Sequence, residues 1–306
     1  MQRLLRLWLL SIIACCLVLT PAFADDDNDD NTATDDKQVY EINSQTIMIS
    51  TLKFQYGRPR IVVKSIYPQL ESHSENQTVD DFNRLVTDTV QDEIAAFKMV
   101  LAKNKAVLEN GPQNPNKTLN NLYVDYNASV IRFDENPIIS IRFTIQGSMV
   151  GAAHPYHYHR TLNYDLNTGE KIELSDLFKP GAQYLGAFAN YTSNYLLRYL
   201  KDNEMVMNGT APIENNFKNW NIKPNGILIT IEEGQAAPYV NGAQTILVPY
   251  TVLKRIMSSD SVLADCLNHQ KKCERNNLLT GGFIDTAAAS KKQTNWKSVI
   301  RAASLQ

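Results

Sequence analysis

The chain has 306 residues and a formal net charge of −2 at neutral pH. With no concentrated basic stretch, this balance excludes a nucleic-acid partner, which needs a dense positive surface. The length suits one large domain or two small ones, each able to bury a core, and no solenoid-type repeat divides it.

Arg3 and Arg6 precede an apolar stretch over residues 7–19 broken only by Ser11, and Ala22-Phe23-Ala24 supplies the small residues that a signal peptidase reads. The pattern predicts a secretory signal peptide over residues 1–24, cut before Asp25, and a periplasmic or secreted protein. A second reading stays open: Ile12-Ile13-Ala14-Cys15 resembles a bacterial lipobox, which would make Cys15 a lipid-anchored N-terminus. The apolar stretch is short for a permanent span, which needs about 20 residues, and nothing after residue 24 is long and apolar enough. Loss of Arg3 and Arg6, with no acidic residue in the leader, takes the net charge from −2 to −4. That charge is mildly compatible with a basic partner.

Residues 25–38 carry Asp25, Asp26, Asp27, Asp29, Asp30, Asp35 and Asp36 with almost no apolar side chains, which predicts a disordered acidic tether. A calcium loop fails on detail: the sixth position is not Gly, and Lys37 stands where a closing Glu would be needed. From Val39, alternation at Ile47, Ile49, Thr51 and Phe54, then at Ile61-Val62-Val63 and Ile66, reads as strands. Phe82, Leu85, Val86, Thr89, Val90, Ile94 and Phe97 repeat at helical spacing, predicting an amphipathic helix from about Thr78 to Lys103. Residues 110–121 read as a loop. Strands follow over 122–132, 138–146 and 156–166, with Asp134-Glu135-Asn136-Pro137 as a hairpin turn and Asn167-Thr168-Gly169 as another. Ser175 is placed as the cap of a short segment, and 184–200 as a second amphipathic helix. Strands over 226–232 and 244–248 and a third helix over 249–258 complete the pattern. Helices lying between groups of strands, without regular alternation, predict an α+β fold with antiparallel sheets packed against a few amphipathic helices. The last residues, 275–306, are read as a mobile tail.

Beyond the leader only Cys266 and Cys273 remain, an even count in an oxidising compartment, so a disulfide between them is expected. Seven residues of unbroken helix span about 10 Å, beyond the roughly 7 Å a bridge allows, so a helix through Val262-Leu263 must bend or stop near Asn268-His269. Catalytic spacings are missing: no nucleophile elbow, no His-Glu-x-x-His, no phosphate loop and no dinucleotide fingerprint. The densest cluster is Gly151-Ala152-Ala153-His154-Pro155-Tyr156-His157-Tyr158-His159. His157 and His159 share one face of an extended strand, and His154 could bend round as a third metal ligand. The plainer reading has half-exposed imidazoles alternating with buried Tyr156 and Tyr158. No cofactor is implied. The Asn-x-Ser/Thr sites at Asn76, Asn116, Asn127, Asn190 and Asn208 matter only in a eukaryotic secretory pathway.

The run from Gly151 to Pro155, with Asn163-Tyr164-Asp165-Leu166-Asn167-Thr168-Gly169-Glu170 and Leu174-Ser175-Asp176-Leu177-Phe178, resembles a bacterial extracytoplasmic domain family. This family includes the C-terminal, lysozyme-binding region of the anti-sigma factor RsiV. Phe217-Lys218-Asn219-Trp220, Ala237-Pro238-Tyr239-Val240-Asn241-Gly242 and Val248-Pro249-Tyr250-Thr251-Val252-Leu253 fit it too. Upstream, Tyr67-Pro68-Gln69-Leu70 and Phe82-Asn83-Arg84-Leu85-Val86 resemble the small domain shared by RsiV and the peptidoglycan deacetylase PdaC. The resemblance implies a small N-terminal α+β domain over 39–150, an RsiV C-terminal-like domain over 151–258 and a C-terminal segment over 259–306. No cytoplasmic sigma-binding segment and no deacetylase catalytic domain is recognisable in the sequence.

The function implied is a non-enzymatic periplasmic binding module for a cell-wall component, peptidoglycan, or a wall-directed protein such as lysozyme. His154, Tyr156 and Tyr158 are the expected contact residues, because tyrosine offers large contact area at low entropy cost. Gly151, Pro155, Asn163, Asp165 and Gly169 are explained as readily by turn geometry. A wall-polymer hydrolase using a metal at His154, His157 and His159, or paired carboxylates, is the alternative, and a structural envelope protein the third reading.

Overall fold

A computed structural model describes residues 38–42, 45–58, 61–103, 120–133 and 136–268. The expected signal peptide, acidic tether and C-terminal tail lie outside the described residues, as does Cys273.

Strands β1 (Gln38–Ile42), β2 (Gln45–Arg58) and β3 (Ile61–Ser72) form an antiparallel meander. Helix α1 (Gln77–Lys103) follows, then β4 (Asn120–Phe133), β5 (Asn136–Ser148), β6 (Tyr156–Asp165) and the two-residue β7 (Glu170–Lys171). Together they make a seven-stranded sheet in chain order. All pairings are antiparallel except β3 with β4, which run parallel. The exception has a physical cause: parallel neighbours need a crossover connection, and α1 supplies it. The α+β class stands, with this one parallel pair beyond the antiparallel sheet expected. Asn136 and Pro137, expected in the hairpin turn, are the first residues of β5.

Helix α1 buries Val79, Phe82, Val86, Val90, Ile94, Phe97 and Leu101, one stripe at helical spacing, against one face of the sheet. It starts one residue before Thr78, and the Asn76 side chain accepts from Val79 N–H at 3.2 Å. The Asn83 amide fixes its height on the sheet by bonding both the N–H and the C=O of Leu70, each at 2.8 Å.

The opposite face of the sheet carries a second layer. A 3-10 turn (Leu174–Leu177), α2 (Tyr184–Leu196) and α3 (Asn203–Gly209) lead through a second 3-10 turn (Glu214–Phe217) to the remaining strands. Strands β8 (Trp220–Lys223), β9 (Gly226–Ile231) and β10 (Gln244–Pro249) pair antiparallel in the order β10-β9-β8. Short helices α4 (Tyr250–Leu253) and α5 (Ala264–Asn268) complete the described chain. Their core joins Phe188, Leu196, Val206, Phe217, Ile222, Ile229 and Val248 to Ile131 and Ile138 of the large sheet. Two helices are shorter than the periodicity predicts. The second ends at Leu196, and the third at Leu253, because Met257 turns back to bridge Phe178. The cap of the first 3-10 turn is Glu173, reciprocally bonded with Asp176, rather than Ser175. Strand β8 and helix α3 had no expectation, being too short to show a period.

A buried polar seam joins the layers. The Ser140 hydroxyl donates to Asn163 Oδ1 at 2.6 Å, Ile222 N–H reaches both side chains, and Asn163 Nδ2 donates to Trp220 O at 3.1 Å. Asn221 Nδ2 donates to Ser140 Oγ and Ile141 O. Asn163, readable from sequence as a turn residue, is in fact part of this seam. Asp165 and Gly169 do make the turn: Asp165 Oδ1 accepts from Asn167 N–H at 2.8 Å, and Gly169 takes φ of 76°. The expected boundary at 150/151 falls between β5 and β6, which pair along ten residues from Ile138↔Asp165 to Gly147↔Tyr156.

Candidate functional site

The histidine-rich strand is β6, and alternation along it sends its two sets of side chains to different layers. Tyr156, Tyr158 and Arg160 face α1. Tyr156 and Tyr158 stack with centroids 6.0 Å apart. Tyr156 lies across Gly147 of β5, where a Cβ would collide with the phenol ring. Glu93, a buried carboxylate on the apolar stripe of α1, accepts from the Tyr158 hydroxyl through one oxygen and from Arg160 Nε at 2.9 Å through the other. Burial, then the bond to Glu93, pushes the Tyr158 phenol well above its ordinary range, so it acts as a donor rather than a nucleophile.

His157 and His159 face the second layer, their rings edge-to-face with centroids 4.8 Å apart. The turn after β9 places Glu232 and Glu233 opposite them. His157 Nδ1 is 3.0 Å from Glu233 Oε1, and His159 Nδ1 is 3.0 Å from Glu232 Oε2. Glu232 Oε1 also accepts from the His159 backbone N–H at 2.8 Å and from the Asn219 amide. Arg142 of β5, mostly buried, lies in the field of Glu232 and bonds Thr230 at 3.4 Å. Burial pulls its guanidinium down to about 10, partly offset by Glu232, and it stays charged at neutral pH. Burial lowers His159 from its ordinary value. The carboxylate of Glu232 opposes that shift, while Arg142 and His157 add to it.

His154 sits apart from the other imidazoles. It is exposed, its Nδ1 lies 3.1 Å from Pro155 O, and its ring is 5.2 Å from that of Tyr239. Among the described residues no group of three or more His, Cys, Asp or Glu side chains is arranged to hold a metal ion. His154, His157 and His159 therefore have three separate partners: Tyr239, Glu233 and Glu232. Of the expected contact residues, His154 is open to solvent, whereas Tyr156 and Tyr158 are half-buried against α1.

The surface beside His154 is completed by residues 232–243, the loop between β9 and β10, which holds a 3-10 turn (Tyr239–Asn241). Tyr239 is 45% exposed and Val240 92% exposed, which makes them the apolar tip of this end of the molecule. The Tyr239 hydroxyl donates to Pro155 O at 3.4 Å. Gln235 pins the base of the loop to Gly209 O at 2.8 Å and Asn216 O at 3.1 Å. Sequence reasoning assigned no role to Tyr239, Val240, Glu232 or Glu233. The Pro238-Tyr239-Val240-Asn241-Gly242 run was a usable signal, because an aromatic and a β-branched residue between turn formers marks an exposed tip.

Over 146 residues, 47% of this chain, the sequence is 27% identical to the peptidoglycan-N-acetylmuramic acid deacetylase PdaC of Bacillus subtilis (strain 168). The match spans 30% of that enzyme's length. A DUF3298 family member from Bacteroides fragilis shares the fold, with TM-score 0.54 at 15% identity over 74% of this chain and 98% of that one. A DUF3298 family protein from Pseudomonas aeruginosa aligns over 69% of this chain and 94% of its own, at 14% identity and TM-score 0.42. Residues 175–251, which include Glu232, Glu233 and Tyr239, match the family model described as a protein of unknown function, DUF3298.

Proposed function

We propose that the protein is an extracytoplasmic, non-enzymatic binding module that recognises a cell-wall component or a wall-directed protein such as lysozyme. The observation that carries this reading is the exposed Tyr239–Val240 tip beside His154, mounted on two layers that hold its base rigidly. An exposed apolar tip on a fixed scaffold is a contact feature. Around it, His157, His159, Glu93 and Tyr158 each engage a protein partner. Tyr156 and Tyr158 support the surface from the α1 side. The resemblance to the lysozyme-binding region of RsiV and the similarity to a peptidoglycan deacetylase favour the cell wall as the setting. In calorimetric titrations against a c-type lysozyme and against purified peptidoglycan, one of the two is expected to bind. Tyr239→Ala is expected to weaken that binding about tenfold or more, as truncating an aromatic anchor does. No heat and no retention with either would remove the reading.

The leader and the cysteines belong to the same proposal. We place export with residues 1–24 and a bridge between Cys266 and Cys273. Cys266 is fully buried on α5, a position suited to a structural sulfur. No described helix is long and apolar enough to cross a membrane. Intact-mass measurement of protein isolated from the envelope is expected to give a chain starting at Asp25 and lighter by two hydrogens. A diacylglycerol-modified chain starting at Cys15 would overturn the cleavage site, and two alkylatable thiols would overturn the bridge.

A further inference from the structure

We propose that the outer edge of β10, at Thr245 and Leu247, docks an extended peptide segment of a partner protein, which adds as an antiparallel strand with basic side chains directed at Asp125. This edge is separate from the Tyr239–Val240 tip and gives the molecule a second contact surface.

Two neighbouring strand edges are covered by side chains. On the outer edge of β6, Glu232 accepts from the His159 N–H. On the outer edge of β8, Trp220 and Ile222 are bonded by Thr161, Asn163 and Ser140. β10 differs. Thr230 N–H donates to Asn219 O, so the backbone groups of Thr230, Leu228 and Gly226 point at β8, and those of Ile231, Ile229 and Ile227 at β10. Their partners are Gln244, Ile246 and Val248, which leaves the N–H and C=O groups of Thr245 and Leu247 directed outward. Among the described residues no hydrogen bond reaches these outward groups. Such an edge is a template for a further strand.

The large sheet makes a floor below it. β8 crosses that sheet at Ser140 and Asn163, and Thr230 of β9 meets Arg142 at 3.4 Å. Each strand away from β8 thus moves one same-face residue along β5, which brings β10 over Thr144 and turns its edge toward Gln146. Opposite these on β4 stand Asp125 and Tyr123, and all four side chains are half-buried. Leu122 and Val124 fill the core under α1, so Tyr123 and Asp125 point to the β10 side. Asp125 accepts from the adjacent Tyr126 N–H at 2.7 Å, and among the described residues no cation pairs with it. Lys64 of β3 stands one row further out, beside Tyr123.

This arrangement selects the occupant. Thr245 and Leu247 share a face with Thr230 and Leu228, the face turned to the floor. Residues paired opposite them point the same way, so basic side chains there meet the Asp125 carboxylate. The alternate side chains fall beside Ile246 and Val248 and extend their buried core, which favours apolar ones. A second copy does not fit. Two β10 edges paired across a two-fold would lie about 4.8 Å apart, with both large sheets on the same side. Each sheet runs past its β10 by the rows Tyr123–Gln146 and Asn121–Ser148, about 7 Å apiece, so the two floors would collide.

A capped eight-residue peptide of alternating lysine and valine, titrated into the full chain by fluorescence anisotropy, tests the edge. It is expected to bind about threefold or more tightly than its glutamate–valine counterpart, and Asp125→Asn to erase that preference. By NMR, the bound peptide is expected to slow amide exchange of Thr245 and Leu247 at least about tenfold, with Ile246 and Val248, already bonded to β9, unchanged. N-methylating the lysine amides, which face β10, is expected to abolish binding, whereas N-methylating the valine amides preserves it. Thr245→Pro removes an outward N–H without touching the ladder and is expected to weaken binding about tenfold. Should that variant not fold, the exchange pattern of the unaltered chain decides. No binding at about 1 mM peptide, equal binding of the two methylated peptides, or a glutamate peptide that binds as tightly overturns the proposal. So does protection of Thr245 and Leu247 before peptide is added, which would place a second copy or another part of this chain on the edge, or protection by soluble peptidoglycan fragments alone. Peptide binding without heat from lysozyme or peptidoglycan leaves this edge standing and removes the earlier reading.

Discussion

Glu232→Ala is expected to destabilise the protein by about 3 kcal/mol in denaturant unfolding at neutral pH. The substitution strips the His159 N–H, the His159 ring and the Asn219 amide of their shared acceptor, and it removes a carboxylate whose charge favours the buried Arg142 guanidinium. Breaking a buried charged pair by deleting one partner typically costs about 3–5 kcal/mol, because the remaining charge is left uncompensated. The low end applies here, since the Glu232 side chain is 17% exposed and water can replace part of what is lost. Glu232→Gln keeps an acceptor without the charge and is expected to recover about half of that loss. A loss below about 1 kcal/mol for the alanine variant would mean that the turn is not held by this network.

Asn163→Ala is expected to cost about 2–4 kcal/mol by the same measurement. Asn163 is 2% exposed and serves the Ser140 hydroxyl, the Ile222 N–H and the Trp220 carbonyl. Alanine leaves the Trp220 carbonyl without this donor and Ser140 without this acceptor, in a place water reaches poorly. Each stranded group carries a penalty of about 1–3 kcal/mol. Ser140→Ala should not add independently, because the two side chains belong to one network. A double-mutant cycle is expected to show coupling above about 0.5 kcal/mol. Strict additivity would show that the seam is a set of separate bonds rather than a connected joint between the layers.

Both predictions concern contacts between distant parts of the chain. Glu232 and His159 are 73 residues apart, and Asn163 and Trp220 are 57 apart. The histidine strand itself was legible because alternation has a period that a sequence displays, and so was the division of its side chains between two faces. What lay opposite each face was not legible. Glu93 sits on the apolar stripe of α1 at helical spacing, where nothing nearby in sequence marks it as the acceptor for Tyr158 and Arg160. Metal binding by three clustered imidazoles was a fair reading of spacing alone. The fold gives each ring a different neighbour because His154 lies before the strand begins and Glu232 and Glu233 arrive from β9.

By itself, the sequence determined the α+β class, the long helix over the sheet, the strands β4 to β6 and the turn at Asp165–Gly169, all from local periodicity and turn chemistry. Only the tertiary structure decided three further features. The parallel β3–β4 pair depends on where α1 crosses. The seam at Asn163 depends on β8 lying over the large sheet. The capped edge of β6 depends on a turn that approaches it from β9. The reason is the range of the forces involved. Backbone propensity and side-chain alternation act over a few residues, whereas a buried polar atom must find its partner wherever packing brings one.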